Sequence, residues 1–315
     1  MTTERPALAL APRAKPAFDA YLMVDWSASC APNTGADSVW WALLEWVDRS
    51  ARLESGNCET RGALVAHARA VLSDRLGDRR ALVGFDFPFG FPRGFAAALG
   101  HAGPSPDAWR VVWARLAAEI ADGPDNRNNR FAVAAALNAA ASGGFGPFYG
   151  RPRRVAPEIA RTLPARRIGF FCFPLRTSSG PELPARRLAD DRARARSSPW
   201  FVYGGGNSVG GQALVGIPRV RELRAAISDA RIWPFETGAR LPPREQARVV
   251  LAEIYPSLFH VRDRATEIVH DRLQVEAAAR RFAVLDARGD LAALFAAPPA
   301  DPAVLHEEGW VLGAM

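Results

Sequence analysis

Four carboxylates stand in positions where acids are costly. Asp25 ends the run YLMVD, Asp86 lies inside LVGFDFPF and Glu253 inside VVLAEIYP, each the single charge in an apolar, strand-like stretch. A carboxylate buried without a partner is normally excluded or held neutral. The fourth, Asp271, falls on a helix predicted over 265–287. There Ile268, Asp271, Val275, Ala278, Phe282 and Leu285 recur at the spacing of one face, so Asp271 belongs to the inward stripe. Four acids aimed at one interior need a common counter-charge, and Lys15 is the only lysine. Hard divalent cations, Mg²⁺ or Mn²⁺, held by carboxylate oxygens and water, fit this supply. A pair of them about 3.5–4 Å apart would activate water and stabilise the leaving oxygen in phosphodiester cleavage. For any one acid taken singly an arginine salt bridge or a turn cap is the plainer reading; four together favour a shared site.

These acids need a scaffold, and the hydrophobic pattern supplies one. YLMVDW, SVWWALLEWV and ARLESGNCE read as three successive strands, followed by a helix over Thr60–Gly77, with Leu64, Ala68, Val71 and Leu72 on one face. ALVGFDFPFGFP gives a further buried strand. Helices are expected within 107–121 and 129–141, and the stretch 143–187 is irregular. SPWFVYGGGN then reads as a strand entering a glycine loop, and SVGGQALVGIPRVRELRAAI as a helix, with Pro218 a candidate break. RIWPFE and VVLAEIYP are the last strand candidates. Three hairpin-linked strands followed by βα units predict an α/β fold with a mixed sheet and helices on both faces, the element order of an RNase H-like fold. The predicted boundaries are a disordered tail over 1–18, one domain over 19–290 with a helical and irregular insertion at about 93–200, and an extension over 291–315.

Composition narrows the class. The 315 residues are 49% hydrophobic and 23% charged, which excludes a mainly disordered chain. No apolar run is long enough to span a bilayer, so no membrane partner is expected. Cys30, Cys58 and Cys172 are odd in number and widely spaced; neither a disulfide framework nor a zinc ribbon fits, which points to a reducing, cytoplasmic setting. No histidine pair has zinc spacing.

The net charge of +7 is concentrated. Between Arg151 and Arg196 stand 12 arginines against Glu158, Glu182, Asp190 and Asp191. A solvated basic connector and a patch for phosphate backbones are equally compatible with this block. Nearly all the basic residues are arginine, which a GC-rich coding bias explains, so the location of the charge carries more than its sum. The loop GGGNSVGG (204–211) lacks the lysine of a P-loop and the last glycine of a dinucleotide fingerprint, and reads first as a tight turn. Trp200 and Trp233, near loops, are the two tryptophans left open as base-stacking platforms.

The runs VDWSAS, VGFDFPFGFP, AEIYPSLF and the helix HDRLQVEAAA, in that order, resemble the bacterial and archaeal Domain of Unknown Function 429 family, described as predicted nucleases of RNase H-like fold. The resemblance spans roughly residues 20–290 at the level of motifs and leaves 93–200 largely unmatched. It implies metal-ligand and catalytic roles for Asp25, Asp86, Glu253 and Asp271, and assigns Gln212 to the family's glutamine before a Gly-Ile turn. Gln274 stands where the family commonly has a second aspartate.

The reading favoured by these residues is a metal-dependent phosphodiester hydrolase, a predicted nuclease with a one- or two-cation site. Gln212, Ser208, Arg186, Arg187 and Arg176 are its candidate substrate contacts. Two alternatives remain open: a nucleotide- or phosphate-ligand-binding enzyme on the same fold, and a non-catalytic nucleic-acid-binding protein. Nucleic acid or another phosphodiester is the expected partner of the first reading.

Overall fold

The structure, a computed structural model, describes residues 3–8, 15–47, 50–101, 105–204, 209–259 and 269–315. Its main sheet is assembled from β1 (Thr3–Leu8), β2 (Ala20–Asp25), β3 (Val39–Val47), β4 (Ser50–Cys58), β5 (Ala81–Phe85), β8 (Ala230–Ile232), β9 (Val249–Ile254) and β10 (Val311–Leu312). A separate two-stranded ladder joins β6 (Leu175–Arg176) to β7 (Glu182–Leu183). The order across the main sheet is β1-β4-β3-β2-β5-β9, with β8 and β10 sharing the far side of β9. β1 to β4 pair antiparallel, whereas β2, β5, β9, β8 and β10 run parallel. The mixed α/β architecture expected from the sequence is present.

The strands at the centre are apolar because both faces are covered. Along β2, Ala20, Leu22 and Val24 enter one hydrophobic cluster and Tyr21 and Met23 the other. The first face is packed by α1 (Arg61–Ala70), α3 (Ala108–Glu119), α4 (Arg130–Ser142) and α7 (Val209–Ala226). The second is packed by α8 (His270–Arg288) and α9 (Leu291–Phe295). Three shorter helices, α2 (Phe95–Ala98), α5 (Pro157–Thr162) and α6 (Leu188–Arg192), lie within the predicted insertion. That insertion is continuous with the core: Trp113, Leu137, Phe148 and Trp200 join the cluster that covers the first face.

Several expectations need correction. Residues Thr3–Leu8 pair with β4 as an edge strand, and Phe18 is fully buried, so the first 18 residues are not simply a disordered tail. The C-terminal stretch is part of the sheet, because Val311 and Leu312 pair with Glu253 and Ile254 and Trp310 is buried. In SPWFVY only an isolated bridge, Tyr149 to Phe201, replaces the predicted strand. Pro218 does not interrupt α7. Trp200 and Trp233 are fully buried against aromatic neighbours and offer no face to a base. The three cysteines are free. Among the described residues, no helix is long and apolar enough to cross a membrane.

Candidate active site

Pairing register decides which acids meet. β2 and β5 run parallel with Val24 opposite Phe85, so Asp25 and Asp86 emerge side by side at the carboxyl ends of neighbouring strands. That edge is where ligands bind in open α/β sheets. Asp25 shares its side of the sheet with Tyr21 and Met23, the side on which α8 packs. Asp271, in the first turn of α8, is thereby brought over the same edge. The side chains of Asp25 and Asp86 hydrogen-bond one another, and Asp271 lies close enough to raise the pKa of both.

The segment after Asp86 is held by its aromatics. Phe87, Phe89 and Phe91 are buried, with ring centroids 5.5 Å from Trp26, 5.8 Å from Trp113 and 5.4 Å from Trp200 respectively. Trp113 Nε1 donates to the Phe89 carbonyl at 2.7 Å. The Phe87 ring fits because α7 carries Gly216 there; a Cβ at that position would lie 2.4 Å from the ring. The Trp26 amide donates to Asp86 Oδ1 at 2.7 Å, and Gln212 Nε2 donates to the Trp26 carbonyl. Gln212 thus ties α7 to the end of β2.

Asp25, Asp86, Asp271, Trp26 and Gln212 line a cleft of about 500 Å³ with Ser27, Ser29, Asn33, Asp37, Arg130, His270 and Gln274. Burial is the main reason that the Asp25 carboxyl is pushed well above the ordinary range, with the neighbouring Asp86, Asp271 and Asp37 adding to it. Burial likewise raises Asp86 to about 6, although the Asp25 hydrogen bond and the Trp26 amide favour its charged form. Asp271 is raised by burial and by Asp37, and partly relieved by the Asp37 amide, which donates to it at 2.9 Å. Among the described residues, no arginine forms an ion pair with Asp25, Asp86 or Asp271.

On another wall, Arg130 is 5% exposed and likewise forms no ion pair with a carboxylate among the described residues. Its guanidinium donates to Cys30 Sγ at 2.8 Å, to Asn128 Oδ1 at 2.9 Å and to the carbonyls of Val202 and Tyr203. Burial lowers its pKa, partly offset by Cys30.

Glu253 is placed elsewhere. Alternation along β9 puts it with Val249 and Leu251, on the sheet face opposite to Ala252 and Ile254. Its carboxylate meets Arg187 at 2.6 and 2.7 Å and accepts the Phe89 amide at 3.0 Å. Arg187, 1% exposed, also binds Asp190 at 2.7 Å. Burial opposes its charge, but Asp190 and Glu253 outweigh this and hold its pKa well above that of an ordinary arginine. Arg187 is therefore committed to two carboxylates and is not available to a substrate.

The other candidate contacts divide. Gln212 lines the cleft. Arg186 donates to the carbonyls of Ala195 and Arg196, and Arg176 is solvent-exposed beside Glu182 at 3.6 Å; neither lines the cleft. Ser208 and the middle of the glycine loop, 205–208, lie outside the described residues.

Sequence reasoning missed Asp37 and Arg130. Asp37 sits before β3 with φ of 56° and gave no periodic signal. Arg130 did give one: Arg130, Ala134, Leu137 and Ala141 form one buried stripe of α4, which places Arg130 inward. Among the described residues, no group of three or more His, Cys, Asp or Glu side chains has ready-made metal-ligand geometry. Comparison with protein-family models, curated proteins and solved structures finds no match for this chain.

Proposed function

We propose that the chain is a divalent-cation-dependent phosphodiester hydrolase of RNase H-like fold, akin to the Domain of Unknown Function 429 nucleases. The observation that carries this reading is a separation of charge in one cleft. Among the described residues, carboxylates without an internal cation (Asp25, Asp86 and Asp271) occupy one wall, and a buried guanidinium without an internal carboxylate (Arg130) occupies another. A cation with a phosphate attached completes both. The strand order supports the fold assignment, since three antiparallel strands lead into parallel ones and the acids stand at the carboxyl ends of β2 and β5.

The donor set fits Mg²⁺ or Mn²⁺. Mg²⁺ keeps several waters and binds through one or two carboxylates plus substrate phosphate, so the Asp25–Asp86 pair, with Asp271 above it, suffices without a preformed cage. Such a cation lowers the pKa of water and offsets charge on the departing oxygen. The chain's own residues do the rest. Asp86 is aimed by the Trp26 amide and Asp25 by its place in β2, while Gln212 fixes the Trp26 carbonyl between them. Arg130, braced by Asn128 and two carbonyls, is pre-oriented to grip a non-bridging phosphate oxygen.

The test is Mn²⁺ binding by calorimetry together with hydrolysis of bis(p-nitrophenyl) phosphate. Parent protein should bind Mn²⁺ and cleave the ester, and Asp25→Asn should lose both while remaining folded. A parent protein that binds no divalent cation and cleaves nothing overturns the reading.

A further inference from the structure

Of the five large hydrophobic side chains exposed among the described residues, three lie in one region: Ile168 (73% exposed), Phe170 (46%) and Tyr203 (47%). Tyr203 stands at the rim of the carboxylate cleft. Its carbonyl accepts from Arg130 Nη2 at 3.3 Å, and its neighbour Gly204 lines the cleft.

From that rim backbone contacts lead on to the basic segment. Backbone bonds of 3.0 Å from Tyr149 to Trp200 and from Val202 to Tyr149 lay residue 149 alongside 200–202. Gly150, at φ of 89°, comes so near that a Cβ there would lie 3.3 Å from the Tyr203 nitrogen. The Gly150 amide then bonds the Pro164 carbonyl at 2.8 Å, which sets the start of Arg151–Arg154 beside the approach to Arg166 and Arg167. Underneath, Tyr149 packs on Phe201 and Phe171, and Arg167 lies over Phe173. Phe170 packs edge-on against Phe145.

Arg153, Arg154 and Arg166 are exposed on this face and have no carboxylate partner among the described residues. They belong to the block that carries an excess of +8, while the rest of the chain is close to neutral. Exposed rings interleaved with unpaired arginines, leading to a cleft, match single-stranded nucleic acid. Bases stack on aromatic faces without sequence readout while arginines track the phosphates. A duplex hides its base faces and would leave Tyr203 and Phe170 unused.

We propose that this face is a binding track for single-stranded DNA or RNA, which delivers a backbone phosphate to the cleft. The delivery rests on the hydrolase reading above; the binding does not. The experiment is fluorescence anisotropy with a labelled mixed-sequence oligonucleotide in EDTA, across a salt series, so that binding is read without hydrolysis. Arg153→Ser, Arg154→Ser and Arg166→Ser together should reduce the log–log salt slope by about 2. Tyr203→Ala and Phe170→Ala should each weaken binding about tenfold with the slope unchanged. Because all five side chains are exposed, melting temperatures should match the parent.

Parent-like binding and slope in the arginine variant overturn the proposal. Equal affinity for duplex, or equal displacement by polyglutamate, does so too, since either reduces the face to bulk charge. Hydrolysis of bis(p-nitrophenyl) phosphate without oligonucleotide binding overturns the track and leaves the hydrolase reading standing. Binding without hydrolysis of any diester does the reverse.

Discussion

Glu253 on β9 faces Arg187 at 2.6 Å, whereas Asp25 and Asp86, two strands and one strand away, face each other. Both groups are acids near the carboxyl ends of parallel strands, Glu253 buried and the cleft acids partly so. They differ in what neutralises them. The Glu253 group carries its own cation, Arg187, shared with Asp190 and backed by the Phe89 amide. Among the described residues the cleft acids have one another, the Trp26 amide and a half-buried Asp271; burial raises their pKa values as it raises that of Glu253, but no described cation opposes the rise as Arg187 does there. An acid whose counter-charge is built in holds the fold together; acids left without one are set to accept a cation or a proton from outside.

The largest effect should come from removing the built-in cation. Arg187→Met leaves Glu253 and Asp190 buried and uncompensated, and should destabilise by about 3–5 kcal/mol in chemical denaturation. An unchanged midpoint would erase the distinction between the two groups. Removing a cleft acid should act on chemistry instead. Asp25→Asn should lower Mn²⁺-dependent diester hydrolysis at least about a hundredfold, equivalent to about 2.7 kcal/mol of barrier, with a melting temperature equal to or above the parent's.

A smaller effect follows from protonation. The Asp86 carboxyl is raised to about 6 in the folded chain from an ordinary value near 3.8, so between those values the native state holds a proton that the unfolded chain has lost. Its contribution therefore favours folding at low pH and fades as pH rises from about 4 to about 6, by on the order of 1–2 kcal/mol. Denaturation midpoints across that range should show the decline in metal-free buffer, and Asp86→Asn should flatten it. A decline of equal size in the variant would assign it to other groups. The smallest effect is expected at Gln212→Ala, which removes one hydrogen bond to the Trp26 carbonyl, at a cost of about 1 kcal/mol read from the thermal midpoint.

Much of this site is legible in the amino-acid pattern. Lone acids in apolar runs pick out Asp25 and Asp86, and helical spacing turns Asp271 inward. The same rule also picks out Glu253, because a single charge in a buried strand looks alike whether it awaits a cation or already has one. The acid and its arginine are 66 positions apart, and no local pattern links them. The basic block is equally visible, but not that Arg187 within it is spent inside the core while Arg153, Arg154 and Arg166 remain on the surface.

Local pattern in the chain set the mixed α/β class, the buried strands bearing the acids, and the inward stripe of α8, because these follow from periodicities of two and 3.6 within a few turns of chain. Strand register decided that Asp25 stands beside Asp86 while Glu253 faces the other side. Long-range packing decided that the C-terminus completes the edge beside β9 and that Arg130 comes to the cleft. The physical reason is one of range. Local pattern fixes which side of its own element a residue occupies, but the charge that it meets there comes from a distant segment, and only the folded chain chooses it.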